Sequence, residues 1–281
     1  NNFERRNGIW PAQIDKDGLL YSNTAYGDYP HYIPNAKANH DQSQFTGWML
    51  LNYNKPVEVS STLSAYTANN AVDENIKTYW SATTGNKGEW IQTDLGATST
   101  IEAIQINYAD EGSELMGKYT NIYHQYQVYA SNDGKQWSLL IDKSKNTKDV
   151  PHDYVVLEKP TQARFVKMVN IHVPDGKFAI SGLRVFGKGS GKDPGTVKNF
   201  VPLRGDSERR NVWLKWAQNP NATGYHIYFG TDPNKLYNSV MVYSASEYYL
   251  NALEKDQTYY FQIEAFNENG IGPRTPVLKA D

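Results

Sequence analysis

Three sets of side chains in this chain could do chemistry. The first is a cluster of rings and hydrogen-bonding groups inside segment 110–125: Lys118, Tyr119, Asn121, Tyr123 and His124. Tyr119 or Tyr123 can offer a flat face for stacking, and His124, Asn121 and Lys118 can hold hydroxyls. One stacking ring with a few fixed donors and acceptors is what a polar, ring-shaped ligand needs. The second set is the imidazoles His124, His152 and His172; no His-x-x-x-His or similar spacing joins them, so a zinc site is not expected. The third is the carboxyls Asp15, Asp17 and Asp28. Acid/base cleavage of a glycoside needs two carboxyls held roughly 5–10 Å apart across the bond. Asp15 and Asp17 stand in Asp15-Lys16-Asp17-Gly18, an ordinary turn, so catalysis by them is not expected.

The elements that must position these residues are strands. The chain has 281 residues, 39% hydrophobic, with 21 Tyr, 21 Gly and 13 Pro. Tyr favours strands while Gly, Pro and Asn punctuate turns, so an all-β protein of two or three domains is expected. The net charge of −2 supplies no basic field for nucleic acid. With no Cys there are no disulfides, thiolate nucleophiles or Cys-ligated metals. No apolar run approaches the ~20 residues of a membrane-spanning helix. Asn1-Asn2-Phe3-Glu4-Arg5-Arg6 lacks the pattern of a signal peptide and reads as a cut through a longer chain.

Residues 8–33 read as a hairpin that needs either a missing sheet or a neighbouring domain to dock on. Trp10-Pro11-Ala12, Asp15-Lys16-Asp17-Gly18, Tyr21, Asn23-Thr24 and Gly27-Asp28-Tyr29-Pro30 resemble the last propeller blade of glycoside hydrolase family 43. That resemblance implies that 1–56 is the remnant of a catalytic domain acting on arabinose- or xylose-containing polysaccharides, its three catalytic carboxylates lying upstream.

Residues 57–187 carry short runs of period-two alternation separated by turns, the pattern of a sandwich or barrel. Ala71-Val72-Asp73-Glu74-Asn75-Ile76-Lys77-Thr78-Tyr79-Trp80-Ser81, Asp94-Leu95-Gly96, Tyr129 to Trp137, Ala163 to Lys167 and Leu183-Arg184-Val185-Phe186-Gly187 resemble the discoidin domain. This is also called coagulation factor 5/8 type C, and it is the fold of the family 32 carbohydrate-binding modules. The resemblance implies a jelly-roll sandwich with ligand loops at one end. It also implies a structural Ca²⁺ held by Asp73, Asn75, Thr78, the Ala71 carbonyl and Ser181. Two departures weaken that set: Glu74 replaces the usual Gly, and Ser181 stands where an acidic ligand is usual. The sugar loops are expected at 83–89, 110–125, 146–153 and 172–179. Trp80, Trp90 and Trp137 are expected in the core.

Residues 188–195 are Gly-rich and polar and read as a flexible linker. Over 196–281, Trp216, the Leu253–Tyr259 spacing and Asn267-Glu268-Asn269-Gly270 resemble a fibronectin type III domain, with Tyr259 as its tyrosine corner. Arg204-Gly205-Asp206-Ser207 matches the integrin-recognition tetrapeptide, here read as a chance turn. Together these resemblances imply the non-catalytic part of an exported bacterial polysaccharide hydrolase, binding poly- or oligosaccharide beside an upstream catalytic domain. The alternative is a cell-surface adhesion module.

Overall fold

The computed structural model describes residues 12–22, 24–32, 45–114 and 122–280. They are strand and loop apart from one 3₁₀ turn at Ala68–Ala71, so the protein is all-β. The described residues fall into two compact units. One runs from 49 to 190. The other joins those before residue 49 to the stretch from 191 onward.

The first unit is an eight-stranded sheet in the order Met49–Leu50, Ala179–Lys188, Trp90–Tyr108, His152–His172, Gln125–Ser131, Ser138–Asp142, with Val57–Val59 and Trp80–Ser81 added at its flanks. Trp90–Tyr108 explains its shape. Ile91 and Leu95 from its first half share one core with Ile101, Ile104 and Ile106 from its second. A straight strand of 19 residues would run about 60 Å, too long to keep both halves in one core, so the strand turns a corner. It does so where its register with His152–His172 breaks, between Asp94 and Ser99, with Gly96 at φ +84°, a backbone open to glycine at no steric cost. Trp90 and Tyr108 return to the same end of the sandwich, where the loop before Trp90 and the loop after Tyr108 form a rim. Asn132-Asp133-Gly134 turns as its residues predict: Asp133 Oδ1 accepts the Lys135 and Gln136 N–H groups, each at 2.8 Å.

Of the three tryptophans expected inside, Trp80 is fully buried. Trp90 and Trp137 instead lie half-buried on the outer face with Lys167 between them, its Nζ 4.7 and 4.1 Å from their ring centroids. A long amphipathic stem can sit between two indoles while the outer face stays wet. Partial burial of the ammonium lowers the Lys167 pKa.

The second unit packs a three-stranded sheet (Val201–Arg204, Val212–Lys215, Glu247–Leu250) against a five-stranded one (Asn238–Tyr243, Gly224–Gly230, Tyr259–Asn267, Gly270–Ile271, Leu278–Ala280). Leu214, Trp216, Tyr225, Ile227, Phe261 and Ile263 fill the space between. The Tyr259 hydroxyl accepts the Glu254 N–H at 3.1 Å, the backbone bond expected from its spacing to Leu253.

Alternation along Tyr259–Asn267 sends Gln262 and Glu264 to the opposite face. Glu264 is nevertheless buried, covered by Tyr26 from the N-terminal segment and by Tyr228 and Arg274. Strands Ala12–Ile14 and Leu20–Ser22 pair antiparallel, closed by Asp15 Oδ1, which accepts the Asp17 and Leu19 N–H groups at 2.9 Å. Lys235 bridges Asp15 at 2.8 Å and Asp17 at 2.7 Å. Tyr21 stacks on Tyr237 at 3.9 Å. The hydroxyls of Tyr26 and Tyr228 both donate to Glu264 Oε1, at 3.0 and 2.8 Å.

Two boundaries therefore differ from the sequence reading. Within 1–56, the described residues up to Trp48 group with the C-terminal sandwich, while Met49–Leu50 pairs with Ala179–Lys188 and opens the first unit. Within the expected linker 188–195, residues 188–190 belong to the first unit. The rest is tied to the second: Gly191 N–H donates to Asn269 Oδ1 at 2.8 Å, and the Asn219 amide donates to the Pro194 carbonyl at 2.7 Å. Composition signalled flexibility, but these amides satisfy the backbone where it runs.

Candidate functional site

The rim of the first unit is built by loops that bond one another. Gly85 packs against Gly176 and Val173; Gly176, at φ +69°, packs in turn against the backbone of Glu111 and Ser113. The Phe178 N–H donates to the Thr84 carbonyl at 3.0 Å, and the Lys177 N–H to the Glu111 carbonyl at 2.9 Å. The Glu114 N–H donates to Asp175 Oδ2 at 2.7 Å. Loops 83–89, 109–114 and 173–178 thus form one connected surface.

Two ring pairs border it. Tyr123 lies 4.9 Å from His172, which leads into loop 173–178. Tyr66 and Tyr79 stack at 4.3 Å, and the Tyr79 hydroxyl donates to Glu111 Oε2 at 2.7 Å. Lys177 Nζ pairs with the same carboxylate at 3.8 Å. Desolvation and the bond to Glu111 hold the Tyr79 phenol protonated, well above its ordinary pKa. Nearby, Glu89 accepts hydroxyl bonds from Ser60, from Ser61 at 2.8 Å and from Thr84 at 2.6 Å. Burial works against its charge, but these donors hold its pKa below the usual value. Half-buried rings beside fixed carboxylates, an ammonium and hydroxyls can stack on a sugar and exchange hydrogen bonds with its hydroxyls.

Of the residues named from sequence, Tyr123 is on this rim. Lys118, Tyr119 and Asn121 lie outside the described residues. His124 sits beneath the surface: it is 9% exposed and stacks on Tyr108 at 3.7 Å. Its Nδ1 has no hydrogen-bond partner among the described residues. Burial, with His172 adding to it, lowers its pKa to about 4, so it is a neutral ring supporting its neighbour. The Tyr66–Tyr79 pair and Glu111 went unread in the sequence. The available signal was Tyr79 next to Trp80: neighbours in extended chain point to opposite sides, so a core Trp80 leaves Tyr79 facing out.

The expected ion loop gathers few oxygens. Thr78 Oγ1 donates to Asp73 Oδ2 at 2.6 Å and lies 2.9 Å from the Asn75 carbonyl. The Asn75 side-chain oxygen accepts the Lys77 N–H at 3.1 Å. Ala71 is buried at the end of the 3₁₀ turn. The Ser181 hydroxyl lies on the Asn107 and Tyr108 carbonyls at 3.3 and 3.4 Å. Glu74, at φ +58°, turns its carboxylate to Arg184, with Nε–Oε1 2.9 Å and an N–O pair at 2.8 Å. Among the described residues there is no group of three or more His, Asp or Glu that could hold a metal. The one carboxylate in the expected set, Asp73, accepts the Asn75 N–H at 2.9 Å and the Thr78 hydroxyl at 2.6 Å, and the set offers oxygen donors suited to a hard cation but fewer than the six to eight calcium takes.

Elsewhere, Asp15 is bound by Lys235, then by backbone N–H groups, and its pKa is held far below the usual carboxylate range. The guanidinium of Arg204 donates to the carbonyls of Arg209 at 2.7 Å and Glu254 at 2.6 Å. The first residue of the tetrapeptide is thus spent on its own backbone.

Residues 56–182 match the F5/8 type C domain family. No curated protein matches the chain. Similar solved structures include chitosan-binding module 1 from the chitosanase/glucanase of Paenibacillus sp. IK-5, 21% identical, with TM-score 0.42, covering 50% of this chain and 99% of that one. Chitosan-binding module 2 of the same enzyme, solved with chitotriose, is 24% identical with TM-score 0.42, covering 49% and 99%. The family 32 module of C. perfringens NanJ, solved with galactose, is 20% identical with TM-score 0.40, covering 47% and 93%.

Proposed function

We propose that residues 49–190 form a carbohydrate-binding module. In this reading the rim bearing Tyr123, His172, Tyr66, Tyr79 and Glu111 receives a poly- or oligosaccharide. The observation that carries it is the F5/8 type C match over 56–182, falling on a sandwich whose loops gather half-buried rings beside fixed polar groups. The chain is then the non-catalytic accessory part of an exported bacterial hydrolase, with arabinose- or xylose-type glycans as its target. That parentage is supported by the N-terminal resemblance to glycoside hydrolase family 43. The three-against-five strand arrangement and the Tyr259 bond support a fibronectin type III reading of the second sandwich, as a spacer. Tethering raises the local concentration of a catalytic site without new chemistry.

The test is a glycan array on the full chain, followed by titration of the best ligand against Tyr123→Ala and Tyr79→Ala. Single-site binding near millimolar, about 4 kcal/mol, is expected, with each variant several-fold weaker and no turnover of arabinan or xylan. Unaltered affinity in both variants would remove the rim. Binding to matrix protein and to no glycan would replace this function with adhesion.

A further inference from the structure

A cleft of about 290 Å³ opens on the second unit, lined among others by Tyr21, Tyr228, Asn234, Tyr237, Gln262 and Arg274. That is near the lower end of ligand clefts, roughly 300–1,000 Å³. Its chemistry centres on Arg274. The guanidinium lies flat over the Tyr228 ring, 3.7 Å from the centroid, and its Nε donates to Glu264 Oε2 at 2.9 Å. Glu264 is buried behind it at 6% side-chain exposure, yet Arg274 remains 48% exposed. The cation is thus oriented from within and half open to the cleft, and a planar guanidinium fork matches a carboxylate bidentately.

The remaining walls suit a sugar ring. Tyr21 and Tyr237 stack at 3.9 Å with an interplanar angle of 8°, giving a rigid aromatic wall. Gln262 donates through Nε2 to the Thr275 carbonyl at 2.9 Å, which fixes the amide and leaves its oxygen as an acceptor. Asn234 contributes a second amide. We propose that this cleft is a saccharide site, separate from the rim, for a sugar bearing a carboxylate. Arg274 pairs with the carboxylate, the tyrosine wall packs on the ring, and Asn234 and Gln262 take hydroxyls. Tyr21 arrives from the N-terminal hairpin, which Lys235 ties to this unit through Asp15 and Asp17. The inference does not rest on the rim reading.

The test titrates the full chain with a galacturonic acid trimer and with its methyl ester, which keeps the rings and removes the charge. Millimolar binding of the acid is expected, with the ester about tenfold weaker. Arg274→Lys keeps a cation opposite Glu264 but loses the fork, and Tyr21→Ala removes half of the wall. Each should weaken the acid about fivefold or more. If Arg274→Lys does not fold, Tyr21→Ala, on the outer hairpin, carries the test. Equal binding of acid and ester, acid binding indifferent to both variants, or no binding of the acid would each overturn the proposal.

Discussion

Replacing Arg184 by Met should strip the loop at 73–78 of its main electrostatic anchor. Arg184 and Glu74 are 7% and 13% exposed at their side chains, so water cannot replace either partner cheaply. Arg184 also donates through Nη1 to Gln105 at 2.9 Å and lies 4.8 Å from the Phe186 ring. Removing one member of a buried pair costs about 3–5 kcal/mol because the other charge is left behind. Glu74 keeps some access to solvent, so the lower figure, about 3 kcal/mol, applies. For a unit of this size each kcal/mol lowers the melting temperature by roughly 3 °C, a drop of about 9 °C in all. Differential scanning calorimetry of the full chain reads it. Glu74→Gly loses the same pair but relieves a left-handed backbone, worth about 1 kcal/mol, so it should destabilise less. The double variant Glu74→Gly/Arg184→Met leaves no stranded charge and should recover most of the loss. A shift below about 3 °C for Arg184→Met, or a double variant as unstable as the sum of the singles, would refute this account.

Further outcomes follow from the same structure. The pKa of His124 falls from 6.5 to about 4 on folding. Below about pH 6.5 the unfolded chain takes up a proton that the folded one refuses. Its contribution, of order 3 kcal/mol, is present above that pH and is lost progressively down to about pH 4. His124→Phe should flatten the melting temperature of the first unit across that window, and an unchanged slope would contradict the burial argument. We expect calcium at the Asp73–Thr78 loop to bind weakly, so chelator-treated protein should gain a few degrees only at millimolar calcium; a shift complete at micromolar calcium, or none, would refute this. Tyr26→Phe deletes one donor to the buried Glu264 and should cost about 1–3 kcal/mol. It should lower the melting transition of the second unit while leaving that of the first in place.

Much of the fold was legible because its signals are local. Alternation in Ile101–Tyr108 and Tyr259–Asn267, and Asp133-Gly134 at a hairpin, announce strands and turns within a few residues. The site was legible in part. Tyr123 entered the candidate set because it crowds other polar and ring residues in one loop, and the fold sets it beside His172. Tyr66, Tyr79, Glu111 and Lys177 come from separate stretches, and only the folded sandwich brings them together around the Glu111 carboxylate and the Tyr66–Tyr79 stack. The depth of His124 was not legible, because sequence position does not give it: a loop residue next to a strand packs under Tyr108.

The amino-acid sequence by itself determined that this is an all-β chain with a sandwich in its middle and another at its end, since a period of two and the residues of tight turns are properties of neighbours. Tertiary structure alone decided which faces are covered. It laid Tyr26 on Glu264, set Tyr21 against Tyr237, and paired Glu74 with Arg184. The physical reason is that each of these contacts joins residues far apart in the chain. Periodicity says that a face is apolar or polar, and only the folded packing says which other segment lies on it.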